Sequence, residues 1–181
     1  MKLELIINEI KSHCPTFENR VSGAAEYADL HNHSRLKVPA AYIIPLDDEA
    51  GPIRSKNSYT QSIVEGFAVV LVVSNATDER GQAAMNAIDD LRLELWRALL
   101  GWKGVGECYE RIEYNGGNLL NIDRARLDYQ LEFSAALEID SSMTRQGLDL
   151  DALPAFESMT INIDHNADGR TDHTIEILHQ Q

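Results

Sequence analysis

Cysteine is nearly missing from this chain: Cys14 and Cys108 are the whole complement, and they form no CxxC pair. That excludes a zinc ribbon and a disulfide framework, and leaves reduced thiols in a cytoplasmic setting as the simplest expectation. Positive charge is also short. Only 16 Lys and Arg face 29 Asp and Glu among 181 residues, a formal net charge of −13. A surface so negative repels phosphate backbones unless a local basic patch intervenes. Arg54 with Lys56, or Arg124 with Arg126, are too sparse to make one, so no specific nucleic-acid binding is expected. Long apolar runs are lacking too. The opening "MKLELIINEIKSHCP" is interrupted by Glu4, Asn8 and Glu9, and no stretch has the length of a signal-peptide core or a membrane span. Nor is there a GxSxG elbow, a Walker loop or a GxGxxG after a strand, and the glycines of "GWKGVGE" follow a helical pattern instead. With no convincing nucleophile, base or cofactor cradle, the chain reads as a binding or assembly protein, not an enzyme, and no cofactor is expected.

What is present is an ordinary globular composition, 44% apolar and 25% charged, with no internal repeat. The length fits one domain with a small appendage. Leu3, Ile6, Ile7 and Ile10 recur at helical spacing and predict a short amphipathic helix ending before Pro15. "FENRVSGAAEYADL" suggests a strand leading into a loop. "VPAAYIIPL" (38–46) is β-rich and bounded by prolines, which predicts an outer strand or the ends of a strand, and "DDEAGPIRSKNSYT" an exposed loop. "FAVVLVVS" (67–74) is apolar on both strand faces, as a central covered strand is. Thr77 or Asp78 can cap the helix that follows, where Ala84, Ile88, Leu91, Leu95 and Leu99 mark one face and Gly101 stops it. "ECYERIEY" (107–114) predicts a strand closed by the turn signal "NGGN". Then Leu127, Tyr129, Leu131, Phe133, Ala135, Leu137 and Ile139 alternate with mostly polar residues, a strand with one buried and one wet face. "SSMTRQGLDLDALPAFE" reads as a linker before two short alternating runs.

Two constellations invite metal readings. In "DHNADGRTD", Asp164, Asn166, Asp168 and Asp172 occupy positions 1, 3, 5 and 9 of a calcium loop with Gly169 at position 6, but position 12 is Ile175 instead of a bidentate acid. The flanks "MTINID" and "HTIEIL" alternate in period two, so a β-hairpin turn accounts for the same letters, and weak calcium binding by this loop is the alternative function. "HNHS" places His31 and His33 at spacing two, a pair a metal hydrolase would use only with further ligands that the other histidines do not supply; a polar loop is expected.

The order of motifs carries more. "VPAAYIIPL", "YTQSIVEGFAVVLVVSN", "DERGQAAMNAIDDLRLELWRALLGW", "YNGGNLL" and "YQLEFSAALEI" together resemble the phage tail terminator family over positions 38–140. "RALLGW" after an Ala/Leu-rich helix, with "GGNLL" shortly after, is the most specific part, and the acidic "DG" turn resembles a terminal hairpin of such proteins. The resemblance implies an α+β fold: a mixed or antiparallel sheet of about four or five strands, with a long helix near 78–100 and the short N-terminal helix mainly on one face. A linker and C-terminal β-hairpin (141–181) would be appended to a 1–140 domain. It also implies a structural virion protein of the tail, assembled in the bacterial host cytoplasm. Its copies would form a ring, usually a hexamer, that caps the tail tube and meets the head connector. The partners implied are therefore itself, the tail tube protein and the head–tail connector protein. Aromatic and Arg side chains are enriched at interface cores, which makes Arg54, Lys56, Tyr59 and Trp102 candidate contact residues, although Trp102 equally fits a plug for the end of the domain core.

Overall fold

A computed structural model describes residues 1–29, 37–54, 58–76, 82–106, 108–154, 158–165, 167 and 169–178. The chain forms two compact units, Met1–Asp140 and Ser141–Gln181. The larger is a five-stranded mixed sheet in the order β1-β2-β3-β5-β4. Its strands are β1 (Val21–Gly23), β2 (Ala40–Ala50), β3 (Gln61–Ser74), β4 (Glu113–Ile122) and β5 (Arg126–Ile139). Only β1 and β2 run parallel; the other neighbours are antiparallel.

Helices α1 (Leu3–His13) and α3 (Gln82–Leu99) share one core with a single face of this sheet. From α1 come Ile6 and Ile10, one turn apart, and from α3 the predicted stripe Ala84, Ile88, Leu91, Leu95 and Leu99. α1 stops before Pro15, which has no N–H to donate to the helix and disfavours the helical conformation in the residue before it. Gly101 adopts φ +79° just past α3, the left-handed position a helix stop requires. The expected caps Thr77 and Asp78 lie outside the described residues. At the centre, Phe67 of β3 stacks on its register partner Phe133 of β5 with centroids 5.4 Å apart. A short helix, α2 (Ala24–Ala28), contacts β1 and β2. Tyr27 of α2 packs with Tyr42, Val70 and Val72 in a smaller cluster on the opposite face. β3 is thus covered on both sides, as its continuous apolar run predicts.

Four expectations need correction. Of the two readings of "VPAAYIIPL", the outer strand fails, because the three-residue β1 pairs with its free side; Pro39 just precedes the strand, and Pro45 is tolerated at a register shift between Pro45 and Asp48. The strand runs on to Ala50, so the exposed loop starts later than its composition suggested. "NGGN" is not a turn but the middle of β4, where Gly116 (φ +148°) sits in a bulge. Residues 108–112 before it form no strand: Tyr109 makes an isolated bridge to Leu137, and Ile112 pairs with Gly101 and Trp102 instead. The polar face of β5 is not uniformly wet, because Asp128 is 1% exposed beside the Arg126 guanidinium at 3.4 Å. A charge can be buried there because it is paired.

In the smaller unit, the expected linker contains a 3-10 turn (Ser141–Met143) and α4 (Arg145–Asp151), capped by Thr144, whose hydroxyl accepts from the Gly147 N–H. Beyond it β6 (Ser158–Ile163) and β7 (His173–Leu178) form an antiparallel hairpin. Its register brings Met159 opposite Ile177 and Ile161 opposite Ile175, so the alternating apolar residues share one face.

Candidate assembly surface

One edge of the larger unit's sheet carries exposed apolar side chains. β4 is an outer strand, and α3 packs over β3 and β5, so that among the described residues no helix covers the far end of β4. Leu119, Leu120 and Ile122 are therefore 48%, 41% and 51% exposed. An apolar, solvent-facing edge strand is a template for contact with another chain. The β4–β5 corner that follows is held firmly. The Asp123 carboxylate accepts from the backbone N–H groups of Ala125 (2.7 Å) and Arg126 (2.8 Å). The Asn75 side-chain amide donates to the Asp123 carbonyl at 2.6 Å, and the Asn75 N–H donates to the Ala125 carbonyl. The Arg126 and Ala125 amides keep the Asp123 carboxyl below the usual carboxylate range. Arg124 projects from this corner as an exposed side chain.

A groove of about 370 Å³ opens at the same end of the sheet, beside α3. Val38, Pro39, Val73 and Leu91 supply apolar walls, and Asp90 and Glu94 of α3 add two carboxylates. Between α3 and the β4 edge, the Arg92 guanidinium lies 5.9 Å from the Trp96 ring and 5.7 Å from that of Tyr129. Trp96 meets Tyr114 of β4 edge-on at 5.1 Å, which ties the edge strand to the helix.

Cys14 is buried, and burial, helped by the Glu94 and Glu9 carboxylates, pushes its thiol up to about 12. The Tyr109 hydroxyl, pushed up by burial and by its 2.9 Å hydrogen bond to Glu65, is likewise held neutral.

A family model described as phage tail terminator protein matches residues 1–144, the whole of the larger unit and a little beyond. The chain belongs to the phage tail terminator family. It is a structural component of the phage tail, and the family implies contact with other tail components. No match is found among curated proteins. The family match ends at 144, before the β6–β7 hairpin begins at Ser158.

Against this family background, the residues singled out from sequence fall on two loops. Arg54 and Tyr59 lie in the β2–β3 connection: Arg54 is exposed and 3.9 Å from Glu138, and the Tyr59 hydroxyl donates to Gln61. Trp102 follows α3, half-buried against the main core, with its ring over Gly104. Among the described residues no hydrogen bond, ion pair or ring contact joins Trp102 to the other two. Lys56, His31 and His33 lie outside the described residues. In the 164–172 turn, Asp164 accepts from the Gly169 N–H and Asp172 from the His165 N–H, both at 2.8 Å. Ala167 (φ +54°) and Gly169 (φ +81°) take the left-handed conformations of a turn between two strands. Asn166 and Asp168 lie outside the described residues.

The edge residues Leu119, Leu120 and Ile122 and the corner Arg124 were not picked out as contacts from sequence. The signal was present in "NLLNI", where two adjacent leucines break the alternation of a half-buried strand.

Proposed function

We propose that this protein self-assembles into a ring, on the family pattern a hexamer, that caps the head-proximal end of the tail tube and joins it to the head connector. The role is end-capping and adaptor contact, with no catalytic step, and assembly takes place in the cytoplasm of the bacterial host. The observation that carries this reading is the family match across residues 1–144. The fold supports it. A closed ring needs a heterologous contact between two different patches of one subunit, and the sheet offers two distinct edges, β4 and β1. Arg54, Lys56, Tyr59 and Trp102 are proposed contact residues on the β2–β3 and α3–β4 connections.

The net charge of −13 suits a lumen through which DNA passes without sticking, because like charge repels phosphate. Retardation of DNA by the purified protein at moderate salt would refute that part. The decisive experiment is electron microscopy of tails assembled without this protein. Overlong, headless tubes are expected. Tails of normal length joined to heads would overturn the proposal.

A further inference from the structure

We infer that the β4–β5 corner of one copy seats in the α3 groove of the next copy in the ring, its Arg124 guanidinium meeting the Asp90 and Glu94 carboxylates. This deepens the ring reading and rests on it. Three features of the molecule select a second copy as the occupant.

The first is charge. Two subunits each carrying −13 repel one another, so they need a local complement of opposite charge where they touch. The groove supplies two carboxylates on successive turns of α3, four residues apart and so on one side of the helix. The corner supplies an exposed arginine, and among the described residues no ion pair engages it.

The second is shape and polarity. The groove is apolar at its walls and acidic from one side only. That combination fits an aliphatic stem ending in a cation, with an apolar neighbour beside it. The corner presents Arg124 together with Ile122 and Leu120, which are about half exposed in the free subunit. Because the Asp123 carboxylate and Asn75 already hold the corner in one conformation, little ordering remains to be done on docking.

The third is placement. Ser74, at the groove end of β3, pairs in register with Arg126, so groove and corner stand at the same end of the sheet. They stand at different lateral positions, however. The corner joins β5 to the outer strand β4, whereas Val38 and Pro39 precede β2 on the other side of β3. Copies set side by side therefore bring the corner of one toward the groove of the next. The two patches differ, which makes the contact head-to-tail and able to close by rotation.

The test is light scattering coupled to size exclusion on the full chain across a concentration series, with melting curves as a check on folding. Arg124→Glu, and separately Asp90→Lys with Glu94→Lys, should each raise the concentration for half-assembly by about tenfold or more, with melting unchanged for Arg124→Glu and lowered only slightly for the double variant, which gives up the Thr16 N–H to Glu94 bond. The sharper arm is mixing. In a head-to-tail ring, the two reversed variants alternate so that every interface is again oppositely charged. An equimolar mixture should therefore assemble like the unaltered protein, and so should the triple variant. If a reversed variant melts early, Arg124→Gln and Asp90→Asn with Glu94→Gln test the same contact without new charge, and each should weaken assembly. Unaltered protein that assembles, with variants that assemble equally well, overturns the docking inference while leaving the ring. Unaltered protein that stays monomeric at every concentration, and on tails, overturns the ring reading itself.

Discussion

Replacing Gly117 with alanine tests the strand assignment of "NGGN" at a single atom. Gly117 lies in β4 opposite Leu131. An added Cβ would stand 2.9 Å from Tyr129 Cε1, 3.0 Å from the Gln130 carbonyl oxygen and 3.0 Å from Leu131 Cδ2, where ordinary contact begins at 3.4 Å. Tyr129 can swing aside only by leaving its place 5.7 Å from the Arg92 guanidinium. The Gln130 carbonyl cannot swing, because β5 is held in register on both sides, by β3 and by β4. Overpacking of this kind costs about 1–3 kcal/mol. Urea unfolding followed by tryptophan fluorescence reads it well, since Trp96 lies against Tyr114 of the same edge strand. Gly101 is the matched control. Nothing lies within 4 Å of a Cβ there, but φ is +79°, so alanine costs ~1 kcal/mol through the backbone alone. Asparagine tolerates left-handed angles and should cost less than alanine at 101, whereas at 117 its greater bulk should cost more. A change below about 0.5 kcal/mol for Gly117→Ala, or the same Ala–Asn order at both positions, would refute the argument.

Three further outcomes follow from the geometry. Phe133→Ala removes a fully buried ring stacked on Phe67 and packed against Tyr114, and should lower stability by ~3–5 kcal/mol in the same urea assay. Cys14 should resist thiol-labelling reagents until the protein unfolds while exposed Cys108 reacts promptly, as time-resolved labelling would show. Its raised thiol also sets a pH dependence: in the unfolded chain it ionises near 9.0, in the folded chain near 12, so stability is full below pH 9 and falls between those values. Urea midpoints measured up to alkaline pH should show that fall, and Cys14→Ala should remove its share, leaving the contribution of Tyr27, Tyr42, Tyr109 and Tyr114, whose hydroxyls are raised by burial and so act with the same sign. Asp123→Ala should loosen the corner without much change in melting and should weaken assembly in light scattering. In the unaltered protein that corner support is present above the ordinary carboxylate range and fades as pH falls through the lowered value.

The elements read best from sequence are those whose period is enforced by burial. β5 alternates because its core face touches α3 and α1 residues through one continuous core, and α3 repeats at three and four because only one stripe meets it. Errors arose where tertiary pairing overrode a local signal. Asn-Gly-Gly-Asn is strong turn chemistry, yet the neighbouring strand accepts Gly116 as a bulge and uses the bare Gly117 to seat the Tyr129 ring. The two prolines of "VPAAYIIPL" look like an edge, but Pro39 precedes the strand and Pro45 falls at a register shift, so neither blocks the pairing with β1. Asp128 is buried on the polar face because Arg126, two residues before it, turns its guanidinium to it. The β1 and β5 pairings lie far along the chain from the residues they override, and Arg126, although near Asp128 in sequence, is shown to cover it only by the fold.

The candidate contact surface was less legible than the core, and the reason is physical. Periodicity states which side of a sheet a residue faces, but not whether anything stands on that side. Leu119 faces the same side as Tyr129, its register partner, and Ile122 the same side as Leu127. Leu127 is buried under the helices while Leu119 and Ile122 are half in water, because α3 packs over β3 and β5 and does not reach past β4. The same limit applies to charge. Arg124 looked incidental when counted against 29 acids, as one of too few basic residues to hold nucleic acid. In the fold it sits on a corner fixed by hydrogen bonds to Asp123 and Asn75, beside exposed apolar side chains. In the proposed contact between copies, the acidic excess that makes a polyanion an unfit partner would make one well-placed cation decisive, since contact without it sets like charge against like.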